Sequence, residues 1–303
     1  MKNFSLSLWL LVAFTISLAA ETLPERYAAY GDLLVVKLGS APFPHPDRAQ
    51  GHKYHNEIFT AETNYSDSSV AMFVPKGFRQ TDRTDFVIHF HGWRNHIETV
   101  LSQYQLIEQF SRSGRNAILI VPQGPRDAPD SFGGKLEDTN GFKRFMTDVV
   151  TTLHDRGMIH STNIGDIILS GHSGGYQVMS SIVARGGLSS DVKEVWLFDA
   201  LYARTEQFTN WFNAFPDRRL IDIYTEHGGT KEETEKLIAA LKAQNTPLFA
   251  KNESDATPED LKANRLIFLY SALEHNDVLS KHDEFYEYLT TSRLKPIKTG
   301  ATP

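Results

Sequence analysis

The pentapeptide Gly171-His172-Ser173-Gly174-Gly175 directly follows the mainly apolar run 166–170. A G-x-S-x-G motif at a strand end is typical of a nucleophilic serine, because the sharp turn from strand to helix exposes the hydroxyl. Glycines on either side remove the Cβ clashes that the strained corner residue would otherwise meet. Apolar residues then recur at helical spacing until Gly186-Gly187. The pattern predicts Ser173 as the nucleophile of a hydrolase.

A serine hydroxyl is a poor nucleophile at neutral pH. It needs an imidazole base, a carboxylate to orient the imidazole, and NH groups where the oxyanion forms. His275 lies a few residues after the last predicted strand and is our predicted general base. His282 is the alternative, disfavoured because we expect it to lie in the helix that follows. Two carboxylates, Asp199 and Glu226, follow neighbouring strands and are both candidates for the acid.

Apolar segments of strand length alternate with helical patterns, which predicts an α/β fold with a parallel sheet covered by helices on both faces. Segments 57–63 and 69–74 flank a turn-like cluster and predict an antiparallel pair at the sheet edge. Helices are predicted at 141–154 and 205–215, and a capping box from Thr230 to Glu233 begins another. Ligands of such sheets bind at the carboxyl ends of strands. The six predicted strands are 86–90, 117–121, 167–169, 195–198, 220–224 and 266–270.

The order of strand, G-x-S-x-G, helix, acid and a final histidine after the last strand resembles the α/β-hydrolase fold, over about residues 54–290. The resemblance implies a mostly parallel central sheet. It also implies that one NH group of the oxyanion hole comes from Gly174. The second would come from the segment after the strand at 86–90, where a His-Gly pair is often found; we assign it to Trp93, with Gly92 as the next candidate.

The resemblance leaves two positions for the acid. The commoner family position, after the penultimate strand, corresponds to Glu226. Some lipase-like members place the acid one strand earlier, which corresponds to Asp199. We favour Asp199, because a short aspartate at the end of a buried strand is held rigidly and would be costly to bury without a partner.

The predicted reaction is hydrolysis of a carboxylic ester through a Ser-His-Asp triad and an acyl-enzyme, with no metal or organic cofactor. His89 and His91 lie on one face of a strand, but no further ligand has the spacing of a dinuclear hydrolase. A peptidase or amidase of the same fold and a non-catalytic secreted binding protein remain alternatives. The expected partner is a small-molecule or acyl substrate, and the candidate pocket walls are Trp93, Phe132, Tyr176 and Tyr202.

The N-terminus has the pattern of a secretory signal peptide, with Lys2, an apolar stretch at 6–18, and the small residues Ala19 and Ala20. No later segment approaches the roughly 18 apolar residues of a transmembrane helix. We therefore expect a secreted or periplasmic protein without a membrane span after signal cleavage.

Three parts of the chain are predicted: the signal peptide at 1–20, an N-terminal extension and loop at 21–53, and an α/β-hydrolase domain at 54–303. The chain has no cysteine, so its stability must come from the core and not from disulfides. The net charge of −6 and the absence of a basic cluster give no support for a nucleic-acid partner. The sequence leaves the oligomeric state open.

Overall fold

The structure, a computed structural model, describes residues 21–298, so the predicted signal peptide lies outside the described residues. The strands are β1 (Gly31–Lys37), β2 (His52–Tyr54), β3 (Glu57–Phe59), β4 (Ser69–Pro75), β5 (Thr84–Phe90), β6 (Ile118–Pro122), β7 (Ile164–His172), β8 (Val192–Phe198), β9 (Arg219–Thr225), β10 (Phe249–Asn252) and β11 (Leu266–Ser271). The helices are α1 (Leu23–Tyr27), α2 (Ala61–Asn64), α3 (Ile97–Gln103), α4 (Leu106–Ser113), α5 (Gly141–Asp155), α6 (Tyr176–Arg185), α7 (Thr205–Asn213), α8 (Lys231–Ala243), α9 (Pro258–Ala263) and α10 (Glu284–Thr291). Within 21–298, no helix has the length and apolar character needed to cross a membrane.

The central sheet has nine strands in the order β1-β4-β6-β5-β7-β8-β9-β11-β10. Neighbouring strands in this order are parallel from β6 onward, whereas β4 is antiparallel to both of its neighbours, β1 and β6. The α/β fold and all six predicted strands are therefore confirmed. Because the parallel strands point the same way, the segments that follow β5, β7, β8, β9 and β11 emerge at one edge of the sheet.

The predicted antiparallel pair has the wrong partners. β4 is antiparallel, but it pairs with β1 along all seven residues of β1, while β3 pairs with β2 in a separate small sheet. The sequence analysis placed the residues of β1 in the N-terminal extension at 21–53 and predicted no strand there, so it missed this pairing. As an edge strand, β1 is only partly buried: Leu33 is buried, whereas Val35 and Lys37 are exposed, unlike the largely buried central strands.

Side chains of the sheet pack into two cores, one on each face. Along β5, Phe86 and Ile88 belong to one core and Val87 belongs to the other, as the strand period of two requires. Helices α5 to α8 cover the first core, and α1, α3, α4, α9 and α10 cover the second. Burial on both faces explains why the central strands are apolar throughout.

One carboxyl group is buried inside this framework. Asp222, in the middle of β9, accepts a hydrogen bond on Oδ2 from Thr234 Oγ1 of α8 at 2.7 Å. Its Oδ1 has no partner among residues 21–298. Burial raises the pKa of Asp222 to about 7, although the bond from Thr234 opposes the shift. Because the unfolded chain ionises near pH 4, this group makes stability fall as the pH rises from about 4 to about 7.

Replacing Asp222 by Asn removes this titration. We expect the variant to gain stability over the wild type as the pH rises, approaching a difference of roughly 4 kcal/mol above pH 7, because each pKa unit corresponds to about 1.4 kcal/mol. Urea unfolding at about pH 4, 5.5 and 7.5 measures the difference. Asp32, replaced by Asn, is the matched control, because it is an exposed carboxylate that undergoes the same change of side chain. A difference for Asp222→Asn that does not change with pH would contradict the prediction.

Candidate active site

Ser173 lies at the bend where β7 ends and the short turn Ser173–Gly175 leads into α6. Its φ is +52°, in the left-handed region that residues other than glycine rarely adopt. A Cβ atom on Gly175 would lie 2.7 Å from the carbonyl oxygen of Phe90, so glycine is needed for the bend to pack against β5. This strained corner between strand and helix is the setting in which a G-x-S-x-G serine is exposed.

Asp199 and His275 form a hydrogen-bonded pair at the same edge of the sheet. Asp199 directly follows β8 and is fully buried, and its Oδ2 lies 2.7 Å from His275 Nδ1. The His275 side chain is 27% exposed and lies in the segment between β11 and α10. Because Nδ1 is bonded to the carboxylate, Nε2 is the ring nitrogen that can take up a proton from another group.

Asp199 is surrounded by hydrogen-bond donors. The Thr225 NH group donates to Oδ1 at 3.2 Å and the Thr225 hydroxyl to Oδ2 at 2.7 Å, while the Thr230 hydroxyl also donates to Oδ1. Burial by itself would raise the pKa of Asp199, but the bonds from His275 and the two threonines outweigh it and lower the pKa. The carboxylate is therefore ionised and fixed in orientation at neutral pH.

Thr230 corrects one detail of the sequence analysis. Helix α8 begins at Lys231, as the capping-box pattern predicts, but the Thr230 side chain makes no capping hydrogen bond. Its hydroxyl donates to Asp199 instead.

Glu226, the other candidate acid, lies elsewhere. Its side chain is 46% exposed and contacts Lys231 Nζ at 2.5 Å and the Tyr270 hydroxyl at 3.0 Å through Oε2. These two hydrogen bonds lower the pKa of Glu226. Of the two predicted acids, the structure therefore brings only Asp199 to His275.

His172, which the sequence analysis did not consider, links His275 to the segment that carries Ser173. It directly precedes Ser173, its Nε2 donates to the carbonyl oxygen of His275 at 2.9 Å, and the two rings lie 4.6 Å apart. Its Nδ1 accepts from the Tyr104 hydroxyl at 3.3 Å. Burial, reinforced by the His275 ring, lowers the pKa of His172 to about 3, so the ring is neutral. The motif allows any residue at this position, so the pattern carries no signal for it.

The predicted oxyanion residues gather around Ser173. Gly92 lies against it, since a Cβ atom on Gly92 would come 2.7 Å from Ser173 Cβ. The Trp93 ring lies against Gly174, and the Trp93 NH group has no acceptor within the described part of the chain. Gly174 is in the first turn after the bend, where helix NH groups lack intrahelical partners. Two backbone donors are thus available beside the hydroxyl.

His91 holds the segment after β5 in place. Its Nδ1 donates to the Gly92 carbonyl at 2.8 Å, and its Nε2 accepts from the Gly124 NH group at 3.0 Å and the Gln123 side chain at 3.1 Å. Burial lowers the pKa of His91 to about 4, so the ring is neutral and these bonds persist at neutral pH. Both ring nitrogens are therefore engaged with protein groups.

Structural comparison identifies the fold. A feruloyl esterase module from Clostridium thermocellum, a mutant complexed with sinapinate, matches 86% of this chain and 88% of its own, with 12% identity and a TM-score of 0.54. A fluorophosphonate-binding serine hydrolase of Staphylococcus aureus matches 87% of this chain and 99% of its own, with 10% identity and a TM-score of 0.51. The protein has the α/β-hydrolase fold. No family model and no curated protein sequence matches the chain.

A cavity opens above Ser173 at the edge where α/β-hydrolase folds place their ligands. Its volume is about 180 Å³, and it is lined by Trp93, Ser131, Ser173, Gly174, Tyr176 and Tyr202. The indole NH of Trp93 donates to Ser131 Oγ at 2.7 Å, which fixes one wall. Phe132, also predicted as a wall, does not line this cavity; its ring packs 6.2 Å from Phe43 and 4.6 Å from the Arg48 guanidinium.

Gly228, in the segment after β9, packs directly on Asp199. A Cβ atom there would overlap the Asp199 carboxylate. The Gly228 NH group donates to Thr225 Oγ1 at 2.9 Å, and its carbonyl accepts from the Tyr202 hydroxyl at 2.6 Å. The absence of a side chain therefore lets one backbone segment join the acid's hydrogen-bond partners to a wall of the cavity.

Proposed function

We propose that the protein is a serine hydrolase that cleaves carboxylic esters through an acyl-enzyme, with Ser173, His275 and Asp199 as its triad. The observation that carries the proposal is the 2.7 Å bond between Asp199 and His275 Nδ1, next to a serine held at a strained bend. A buried aspartate that orients an imidazole beside an exposed hydroxyl is the arrangement that activates a serine.

In the proposed reaction Ser173 Oγ attacks the ester carbonyl carbon, and His275 Nε2 takes up the hydroxyl proton. The NH groups of Gly174 and Trp93 donate to the oxyanion as it forms. The tetrahedral intermediate collapses, the ester C–O bond breaks, and His275 gives its proton to the leaving alcohol. Water then enters, loses a proton to His275, and attacks the acyl-enzyme, which releases the acid and restores Ser173.

The cavity limits the substrate. At about 180 Å³ it is smaller than the roughly 300 Å³ at the lower end of pockets for drug-sized ligands. Its walls are mainly aromatic, with the rings of Tyr176 and Tyr202 lying 5.7 Å apart. We propose an ester with a short or flat acyl group. Because one protein of similar fold is a feruloyl esterase module complexed with sinapinate, a hydroxycinnamate ester belongs among the substrates to be tested.

We also propose that the protein acts outside the cytoplasm, in the periplasm or the medium. The basis is the signal-peptide pattern of the first 20 residues. Fractionation of cells that express the full chain, with amino-terminal sequencing of the exported product, tests this proposal.

The hydrogen bond from His172 gives a prediction about this reaction. In His172→Leu the His275 carbonyl loses its donor, so the base is less firmly oriented, and we expect kcat to fall about tenfold with little change in KM. His172→Gln keeps an NH donor and should recover part of the loss. Steady-state kinetics of both variants measure the effect, and thermal unfolding checks that they are folded. A Leu variant with the wild-type kcat, or one that changes only KM, would contradict this role.

The proposal is tested by labelling the protein with a fluorophosphonate and assaying a panel of esters and amides. We expect a covalent adduct on the peptide containing Ser173 and turnover of short-chain or aryl esters. A preference for amides would indicate the peptidase or amidase alternative. Folded protein that neither labels nor turns over any substrate would support a binding protein and overturn the proposal.

A further inference from the structure

A second cluster of chemically active side chains lies outside the triad. Glu253 begins a short helical turn after β10, Glu284 is the first residue of α10, and His282 lies two residues before it. Glu253 Oε1 is 2.8 Å from His282 Nδ1, which is 3.8 Å from Glu284 Oε1. One ligand atom from each residue lies within 4.8 Å of the others. The sequence analysis expected His282 inside a helix, but α10 begins two residues after it.

Glu284 is the residue of this cluster whose environment points to a bound ligand. It is only 1% exposed, and its Oε1 has no hydrogen-bond partner among residues 21–298. Its other oxygen accepts the backbone NH of His282 at 3.2 Å. A buried carboxylate oxygen that faces an imidazole and has no partner of its own is costly for the fold.

The carboxylates around the cluster also lack a Lys or Arg partner among residues 21–298. Glu253, Glu284 and the nearby Glu287 have no Lys or Arg within 4.0 Å of their carboxylates in the described part of the chain. The imidazole of His282 is therefore the only basic side chain described within 4.0 Å of the Glu253 and Glu284 carboxylates. A bound cation would give these carboxylates the positive partner that they lack.

We propose that Glu253, His282 and Glu284 bind a divalent transition-metal ion, and that Zn²⁺ fits the site best. One imidazole nitrogen with two carboxylate oxygens is a donor set that suits Zn²⁺, whereas Ca²⁺ and Mg²⁺ favour oxygen ligands alone. The His282 side chain is 55% exposed, so solvent reaches the site and water can complete the coordination. The ion is not part of the proposed hydrolytic reaction.

The position of the site gives it a structural consequence. Glu253 Oε2 also accepts from Ser271 Oγ, the last residue of β11, at 2.7 Å. The segment 272–283, which carries His275, therefore begins beside Glu253 and has His282 near its other end. A bound ion would fix both ends of this segment to each other, and we expect it to stabilise the segment against local opening.

The test uses the full mature chain after treatment with EDTA, titrated with Zn²⁺ alone by calorimetry and followed by thermal unfolding. We expect one equivalent to bind and to raise the unfolding temperature, with weaker effects of Ca²⁺ and Mg²⁺. Glu284→Gln keeps the shape of the side chain and removes its charge, so the Zn²⁺ affinity should fall at least 10-fold. If that variant does not fold, His282→Gln provides the same test at a largely exposed position.

His154→Ala is the matched control, because His154 is also half-exposed beside a carboxylate, with Nδ1 3.5 Å from Asp155. It should bind Zn²⁺ like the wild type. The proposal is overturned if the wild type binds no Zn²⁺, if Glu284→Gln and His282→Gln bind it as tightly as the wild type, or if binding is lost in the control. None of these outcomes depends on ester hydrolysis, so failure here leaves the proposed function standing.

Discussion

Replacing Ser173 by Ala should abolish ester turnover, with kcat reduced by a factor on the order of 10⁶, as when other triads lose their nucleophile. The variant keeps the fold, because only one oxygen atom is removed from a half-buried side chain. Activity against an aryl ester, measured under single-turnover conditions, gives the effect. Labelling by a fluorophosphonate should disappear at the same time.

Ser131 provides the matched control for this experiment. It also lines the cavity and accepts the Trp93 indole NH, but it does not lie at the bend. Ser131→Ala should retain most of the turnover and all of the labelling. If the Ser173 variant hydrolyses the ester at the wild-type rate, or if labelling is lost only in the Ser131 variant, the nucleophile has been assigned wrongly.

Replacing Asp199 by Asn should reduce kcat by about 10⁴-fold, the size of effect seen when a triad acid becomes an amide. The carboxylate accepts from His275 Nδ1 and therefore fixes the tautomer that leaves Nε2 free to accept a proton. An amide can present an NH group to the ring and stabilise the wrong tautomer. The effect should appear in kcat, with KM little changed.

Glu226→Gln is the counterpart that decides between the two acids. Glu226 is exposed and bonded to Lys231 and Tyr270, so its replacement should change kcat by no more than about twofold. Kinetics of the two amide variants, at the same pH and on the same ester, make the comparison. A large loss in Glu226→Gln together with a small one in Asp199→Asn would reverse the assignment.

The position of the candidate site could be predicted from the sequence because buried parallel strands are continuous apolar runs. Ser173 and Asp199 follow such runs directly, and His275 follows the last one within a short loop. Since the carboxyl ends of parallel strands lie at one edge of the sheet, the position of these residues just after strands is enough to predict that their side chains meet. The edge strand β1 escaped this reasoning because only one side of it is buried.

The choice of acid required the tertiary structure. Asp199 and Glu226 both follow strands, and their local sequence favours Asp199 without excluding Glu226. The difference is the set of donors from Thr225 and Thr230, which reach Asp199 only because β8 and β9 are neighbours. The hydroxyl of Thr230 fits two roles in the sequence, helix cap and hydrogen-bond donor, and only the packing selects the second.

The packing of Gly228 on the acid restricts how the segment after β9 can be redesigned. Any side chain at 228 would collide with Asp199, whereas Glu226 and His227 are exposed. Saturation mutagenesis should therefore accept many residues at 226 and 227 and only glycine at 228. Positions 226 and 227 are therefore open to engineering, for instance to attach a reporter group, while position 228 must remain glycine.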